Sequence, residues 1–160
     1  MVHFFGIAVL AFGTLVAATA GTNPAAAQAA ESGQAPAGVT LEIQTPPFLR
    51  RADGGADSRL LIKAILTNTT DQPVTLTVPT SCDVYRWLVA DLRGNIVQPD
   101  DYRGCDREVQ HRVLQPGQVL THKQSLMVRG SRLQENRVYQ VVYSFWGVQG
   151  AARFTARGED

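Results

Sequence analysis

The stretch Leu60–Leu92, LLIKAILTNTTDQPVTLTVPTSCDVYRWLVADL, limits what this chain can become more than any other. It holds three runs of apolar, β-branched and aromatic residues. A polar Asn-Thr-Thr-Asp-Gln-Pro turn parts the first from the second, and a Pro-Thr-Ser-Cys corner parts the second from the third. Runs of this composition bounded by turn residues are consecutive antiparallel strands. Val74, Leu76 and Val78 alternate with Thr75 and Thr77, the period of a strand with one buried face. Leu60–Leu66 is apolar almost throughout, with Lys63 its only charge, which predicts a central strand covered on both faces. Val84–Leu92 sets Tyr85, Trp87 and Val89 on one face and Val84, Leu88, Ala90 and Leu92 on the other.

The same chemistry continues on both sides. Val39–Thr45 alternates apolar with polar residues and ends at Pro46-Pro47, after which the charged, Gly-rich Leu49–Ser58 reads as an exposed loop. Beyond the Arg93-Gly94-Asn95 turn, Ile96-Val97 forms a short strand and Gln98–Gln110 a polar loop. Gln115-Pro116-Gly117-Gln118 puts Pro and Gly where a type II turn requires them. Val119–Val128 is a further strand, and Val138–Trp146 has the strongest β propensity in the chain. Gly147–Gly150 reads as a four-residue hairpin connection to a last strand near Ala152–Ala156. No segment sustains a helical period with caps. The expected fold is all-β, an antiparallel β-sandwich of about seven to nine strands, with a closed barrel as the alternative.

At 160 residues the chain suffices for one domain with a core and is short for two. Its first thirty residues contain no Asp, Glu, Lys or Arg, and Phe4–Val16 is a mostly apolar run. Ala25-Ala26-Ala27 and Ala27-Gln28-Ala29 then fit the small-x-small rule for signal cleavage. Residues 1–29 are read as a signal peptide, 30–38 as a flexible linker and 39–157 as the domain of an exported, periplasmic or secreted protein. An uncleaved anchor is the alternative, although the apolar run is shorter than the roughly 20 residues a span needs. In that compartment Cys82 and Cys105 pair as a disulfide, closing a loop of about two dozen residues worth roughly 3.5 kcal/mol by chain entropy. Two thiolate metal ligands are the competing reading, and no C-x-x-C spacing supports it. The net charge of +1 predicts no attraction to nucleic acid or to an anionic membrane.

Leu66–Val78 (LTNTTDQPVTLTV), the aromatic strand Tyr85-Arg86-Trp87-Leu88-Val89 followed by Asp91-Leu92-Arg93-Gly94, and Leu114-Gln115-Pro116-Gly117-Gln118 follow one another in a characteristic order. Together they resemble the BsuPI-type proteinase-inhibitor domain over roughly Leu60–Phe145. Arg86 stands where that family usually has Asp, and Ile96-Val97 where it usually has Trp. The resemblance implies an immunoglobulin-like β-sandwich and, as activity, non-covalent inhibition of a serine protease.

The residues themselves assemble no catalytic constellation. His111 and His122 are the imidazoles of the domain, and neither lies in a motif with a nucleophile and an orienting acid. His122 reads as a partly covered structural histidine and His111 as solvated. No catalytic residue, cofactor or metal is expected. Pro99–Glu108 concentrates charge: Asp100, Asp101, Asp106 and Glu108 offer oxygens to a calcium ion, whereas Arg103 and Arg107 among them oppose it. A loop tethered by the disulfide is preorganised, and Tyr and Arg dominate protein interfaces. Tyr102, Arg103 and Arg107 are therefore the candidate contacts to a protein partner, with a serine protease the specific version. The alternative is a non-inhibitory periplasmic structural or assembly module that pairs through an exposed edge strand. The strand aromatics are read as core, with Tyr139 as a tyrosine corner, and Asn68-Thr69-Thr70 as turn chemistry rather than a glycosylation site.

Overall fold

A computed structural model describes residues 36–101 and 104–158. Residues 1–29, read above as a signal peptide, and residues 30–35 of the segment read as a linker lie outside them. Among the described residues the chain forms ten strands: β1 Val39–Gln44, β2 Phe48–Arg50, β3 Asp57–Asn68, β4 Val74–Val78, β5 Tyr85–Asp91, β6 Ile96–Pro99, β7 Gln110–Leu114, β8 Val119–Arg129, β9 Val138–Phe145 and β10 Val148–Arg157. They build a three-stranded sheet β1-β3-β8, a five-stranded sheet β2-β10-β9-β5-β6 and a two-stranded sheet β4-β7. The fold is all-β, and every pairing is antiparallel except that of β2 with β10.

The strands beyond the expected seven to nine come from segments read as loops. β2 begins right after Pro47 and is only three residues long. β7 exposes His111, Arg112 and Val113 and buries only Leu114, so it shows no alternation. It is a strand because β4 pairs with its backbone from Val74↔Leu114 to Val78↔Gln110.

Alternation decides what is buried. β3 sends Leu60, Ile62, Ala64 and Leu66 inward, and these share one apolar cluster with Leu126 and Val128 of β8, Val89 of β5, Val141 and Tyr143 of β9, and Phe154 and Ala156 of β10. Full burial of a side chain the size of Leu contributes about 1.5–3 kcal/mol. β3 lies between β1 and β8, as a central strand should. Its outward face is nonetheless open, with Leu61 at 59% exposure, which corrects the expectation of two covered faces. The inward residues alone satisfy the core.

Three buried polar groups add hydrogen bonds between segments that the apolar cluster also brings together. Asn68 is fully buried; its Nδ2 donates to the carbonyls of Gln72 (2.8 Å), Leu114 (3.1 Å) and Gln115 (3.2 Å), and its Oδ1 accepts from Thr70 N (3.0 Å) and Thr70 Oγ1 (2.7 Å). The Asn68-Thr69-Thr70 triplet is thus turn chemistry, with its amide nitrogen sealed inside. Gln98, also buried, donates to Met127 O (2.9 Å) and accepts from Arg129 N (2.8 Å), linking β6 to the edge of β8. The hydroxyl of buried Tyr139 accepts from Gln134 N at 2.7 Å, five residues upstream, the kind of contact a tyrosine corner makes.

Two turns are dictated by backbone sign. At 115–118 Gly117 has φ +68° and Gln118 N donates to Gln115 O at 2.9 Å, as expected of the type II turn. The β9–β10 hairpin turns through two residues, Trp146 (φ +54°) and Gly147 (φ +78°), not through Gly147–Gly150. Positive φ at both central positions is the signature of the tight turn whose twist matches the strands. The ladder therefore resumes at Val148↔Phe145, and β10 gains Val148–Gly150.

Candidate functional site

The candidate loop is fixed at its two ends. A 3₁₀ turn, Ser81–Val84, leads into β5 and carries Cys82. Cys82 is bonded to Cys105, with a Cα–Cα distance of 5.3 Å that the bridge requires. Beside it Asp106 N donates to Ser81 Oγ (2.9 Å) and Ser81 N donates to Asp106 O (3.2 Å). Thr80 Oγ1 donates to Asp83 Oδ2 at 2.7 Å, and Arg86 meets Asp83 at 3.5 Å. At the other end Asp100 N donates to Trp87 O (3.0 Å), and Arg129 Nη2 donates to Asp101 Oδ2 (2.9 Å). Of the three expected partner contacts, Arg107 is exposed on this segment. Tyr102 and Arg103 lie outside the described residues.

Where the loop leaves β6 it meets a polar and aromatic cluster. Tyr143, fully buried on β9, donates its hydroxyl to Gln124 Oε1 of β8 at 2.7 Å, and burial pushes its phenol well above the usual range. His122 of β8 stacks on Tyr85 with 5.1 Å between ring centroids and lies 5.5 Å from Phe145. Its Nε2 is buried with no hydrogen-bond partner among the described residues. The ring is thus half-buried packing, as a structural histidine would be. Asp100 is half-buried, and burial raises its carboxyl above the ordinary value, opposed by the Arg86 charge and by hydrogen bonds from Trp87.

That shift has a defined sign. The folded protein holds the Asp100 proton to higher pH than the unfolded chain does, so its contribution is most favourable below the ordinary value of 3.8. It declines as pH rises through the raised value. Asp100→Asn keeps the shape and removes the charge. The variant is expected to exceed wild type in urea midpoint at about pH 7 and to match it at about pH 3. Equal midpoints at both pH values would remove burial as the cause.

Among the described residues the segment is held by a disulfide, hydrogen bonds and ion pairs. His111 Nδ1 lies 3.1 Å from Thr77 Oγ1 across the β4–β7 ladder, on an exposed face. Among the described residues no three His, Cys, Asp or Glu side chains gather as a metal site, and Asp101, one of the four loop carboxylates considered for calcium, is engaged by Arg129. Sequence reasoning missed the Asp100–Arg86–Trp87 contacts and the Gln98 link. The only signal was that Arg86 and Asp100 are charges beside apolar strand residues.

No family model and no curated protein sequence matches the chain. Among solved structures it is similar to a beta-glucosidase from Listeria innocua (13% identity, TM-score 0.43, 75% of this chain and 16% of that one). It is also similar to a Bacteroides uniformis beta-glucuronidase (14%, 0.41, 72% and 13%) and to a Pseudomonas fluorescens alkylpurine DNA glycosylase (16%, 0.43, 76% and 31%). The chain spans less than a third of each of these proteins, and likenesses this distant carry no argument about what it does.

Proposed function

We propose that the chain is an exported, immunoglobulin-like β-sandwich of BsuPI type that binds another protein and has no catalytic activity of its own. In its specific form it blocks a serine protease by steric occlusion. The observation that carries this reading is the anchoring of the 100–109 loop: the Cys82–Cys105 bridge, with the Ser81–Asp106 hydrogen bonds beside it, lowers the ordering a partner must impose. An oxidised pair is in keeping with an exported protein. The shared core of the three- and five-stranded sheets and the Tyr139–Gln134 contact favour two packed layers of immunoglobulin type.

The test is inhibition of subtilisin-like and trypsin-like proteases by the purified protein. Wild type is expected to inhibit, and Arg103→Ala with Arg107→Ala to weaken inhibition by tenfold or more, about 1.4 kcal/mol. Intact activity of every protease tested, with the protein itself folded, overturns the inhibitor reading. Inhibition that survives both substitutions overturns the loop assignment alone.

A further inference from the structure

The outward face of the five-stranded sheet is unlike the rest of the surface. Its register lines up Ala151 of β10, Val142 of β9, Leu88 of β5 and Pro99 of β6 as one apolar row across four strands. At about 4.8 Å between strands this row is about 14 Å long. One step to one side runs Gln149–Ser144–Arg86, and one step to the other Arg153–Gln140–Ala90–Ile96. A step of two residues along a strand is about 6.6 Å, so Arg86 and Arg153 flank the row at opposite corners. Arg50 and Arg157 face each other six residues along β10 from Ala151, about 20 Å from the row, where Arg157 stacks 3.6 Å over Phe48. Ile96 is 57% and Phe48 46% exposed.

The charge is segregated. The strands of this sheet point four arginines outward and no carboxylate, in a chain whose net charge is only +1. Among the described residues Arg50, Arg153 and Arg157 form no ion pair, while Arg86 meets Asp83. The outward face of the three-stranded sheet also exposes apolar side chains, Leu61 (59%), Val119 (52%) and Met127 (44%), but its charge is of both signs, Glu42 and Asp57 with Arg59, Lys63 and Lys123. The chain's two lysines, Lys63 and Lys123, both lie there. Every cation of the five-stranded face is arginine, which is less strongly hydrated, forks onto carboxylates and stacks on rings.

From this placement we propose that the outward face of the five-stranded sheet docks an acidic protein partner through an amphipathic helix. The helix lays an apolar stripe along the Ala151–Val142–Leu88–Pro99 row, and its glutamates or aspartates on either flank meet Arg86 and Arg153. Laying an apolar helix face onto an apolar surface is a recurrent recognition mode, and Arg–carboxylate pairs fix its register. The apolar row favours a protein over a nucleic acid, whose backbone would meet Leu88 and Val142 with nothing to gain. This surface does not depend on the loop reading, since it uses other residues and is assayed with another probe.

The probe is a fluorescein-labelled helical peptide of about eighteen residues with a leucine stripe flanked by glutamates, titrated into the purified protein and followed by anisotropy and amide chemical shifts. Saturable binding is expected, with shifts centred on Leu88, Val142 and Arg153 and an affinity that falls with salt. Arg153→Glu, at an exposed position, is expected to weaken it by about tenfold, with the thermal midpoint held. A peptide with lysines in place of the glutamates should not bind. Absent binding, shifts centred elsewhere, indifference to the charge reversal, or tighter binding of duplex DNA or phosphatidylglycerol vesicles would each overturn the proposal.

Discussion

Asn68→Ala is expected to lose about 3–4 kcal/mol of stability, read as a lower urea midpoint at unchanged slope. The side chain has no contact with solvent and makes five hydrogen bonds to groups in the 70–72 turn and at the end of β7. Truncation leaves the Leu114 carbonyl buried without its donor. Such a group costs about 1–3 kcal/mol, and the partly buried Gln72 and Gln115 carbonyls add less because water can reach them. Against a typical total of about 5–15 kcal/mol this is a large share. The backbone of the same residue also receives Gly117 N (3.0 Å) and donates to Gln118 O (3.1 Å), so the substitution loosens two turns at once. Thr70→Val, which removes only the hydroxyl contacts, is expected to lose about 1 kcal/mol. A loss for Asn68→Ala as small as that of Thr70→Val would mean that the turns hold themselves.

The second large effect belongs to the disulfide. Replacing Cys82 and Cys105 together by Ala is expected to remove about 3.5 kcal/mol, the chain-entropy value for a loop closed across 23 positions. The change is also local. Without the bridge, residues 104–109 are held beside Ser81 by the two Ser81–Asp106 hydrogen bonds, so amide exchange there should accelerate while β3 and β9 keep their protection. If the exchange of 104–109 is unaltered, the hydrogen bonds are sufficient anchors and preorganisation by sulfur is unnecessary.

What the residues revealed in advance follows from the range of the forces involved. β4 was legible residue by residue, since Val-Thr-Leu-Thr-Val states its own inside and outside. β8 and β9 were legible as strands, β9 through its β propensity, but neither states its inward face by alternation of residue type. β7 was hidden because a strand with three exposed side chains out of five is defined by its partner's backbone. β2 was hidden by its brevity. The Asn68 turn could be read as a turn, but its bond to a carbonyl 46 residues away is decided only when β7 arrives beside β3. The candidate loop was visible through its cysteines and its charge. The half-burial of Asp100 was not, because it depends on where Trp87 and Arg86 of β5 come to rest.

Gln98 has a consequence for the molecule among its own copies. β8 is the outermost member of its sheet, and a bare outermost strand is a template on which further chains can polymerise. The carboxamide of Gln98 occupies Met127 O and Arg129 N, doing the work of a missing neighbour with one side chain. A second copy approaching this end of β8 meets two rungs already taken, so the pairing that would extend the sheet has to begin elsewhere along the strand.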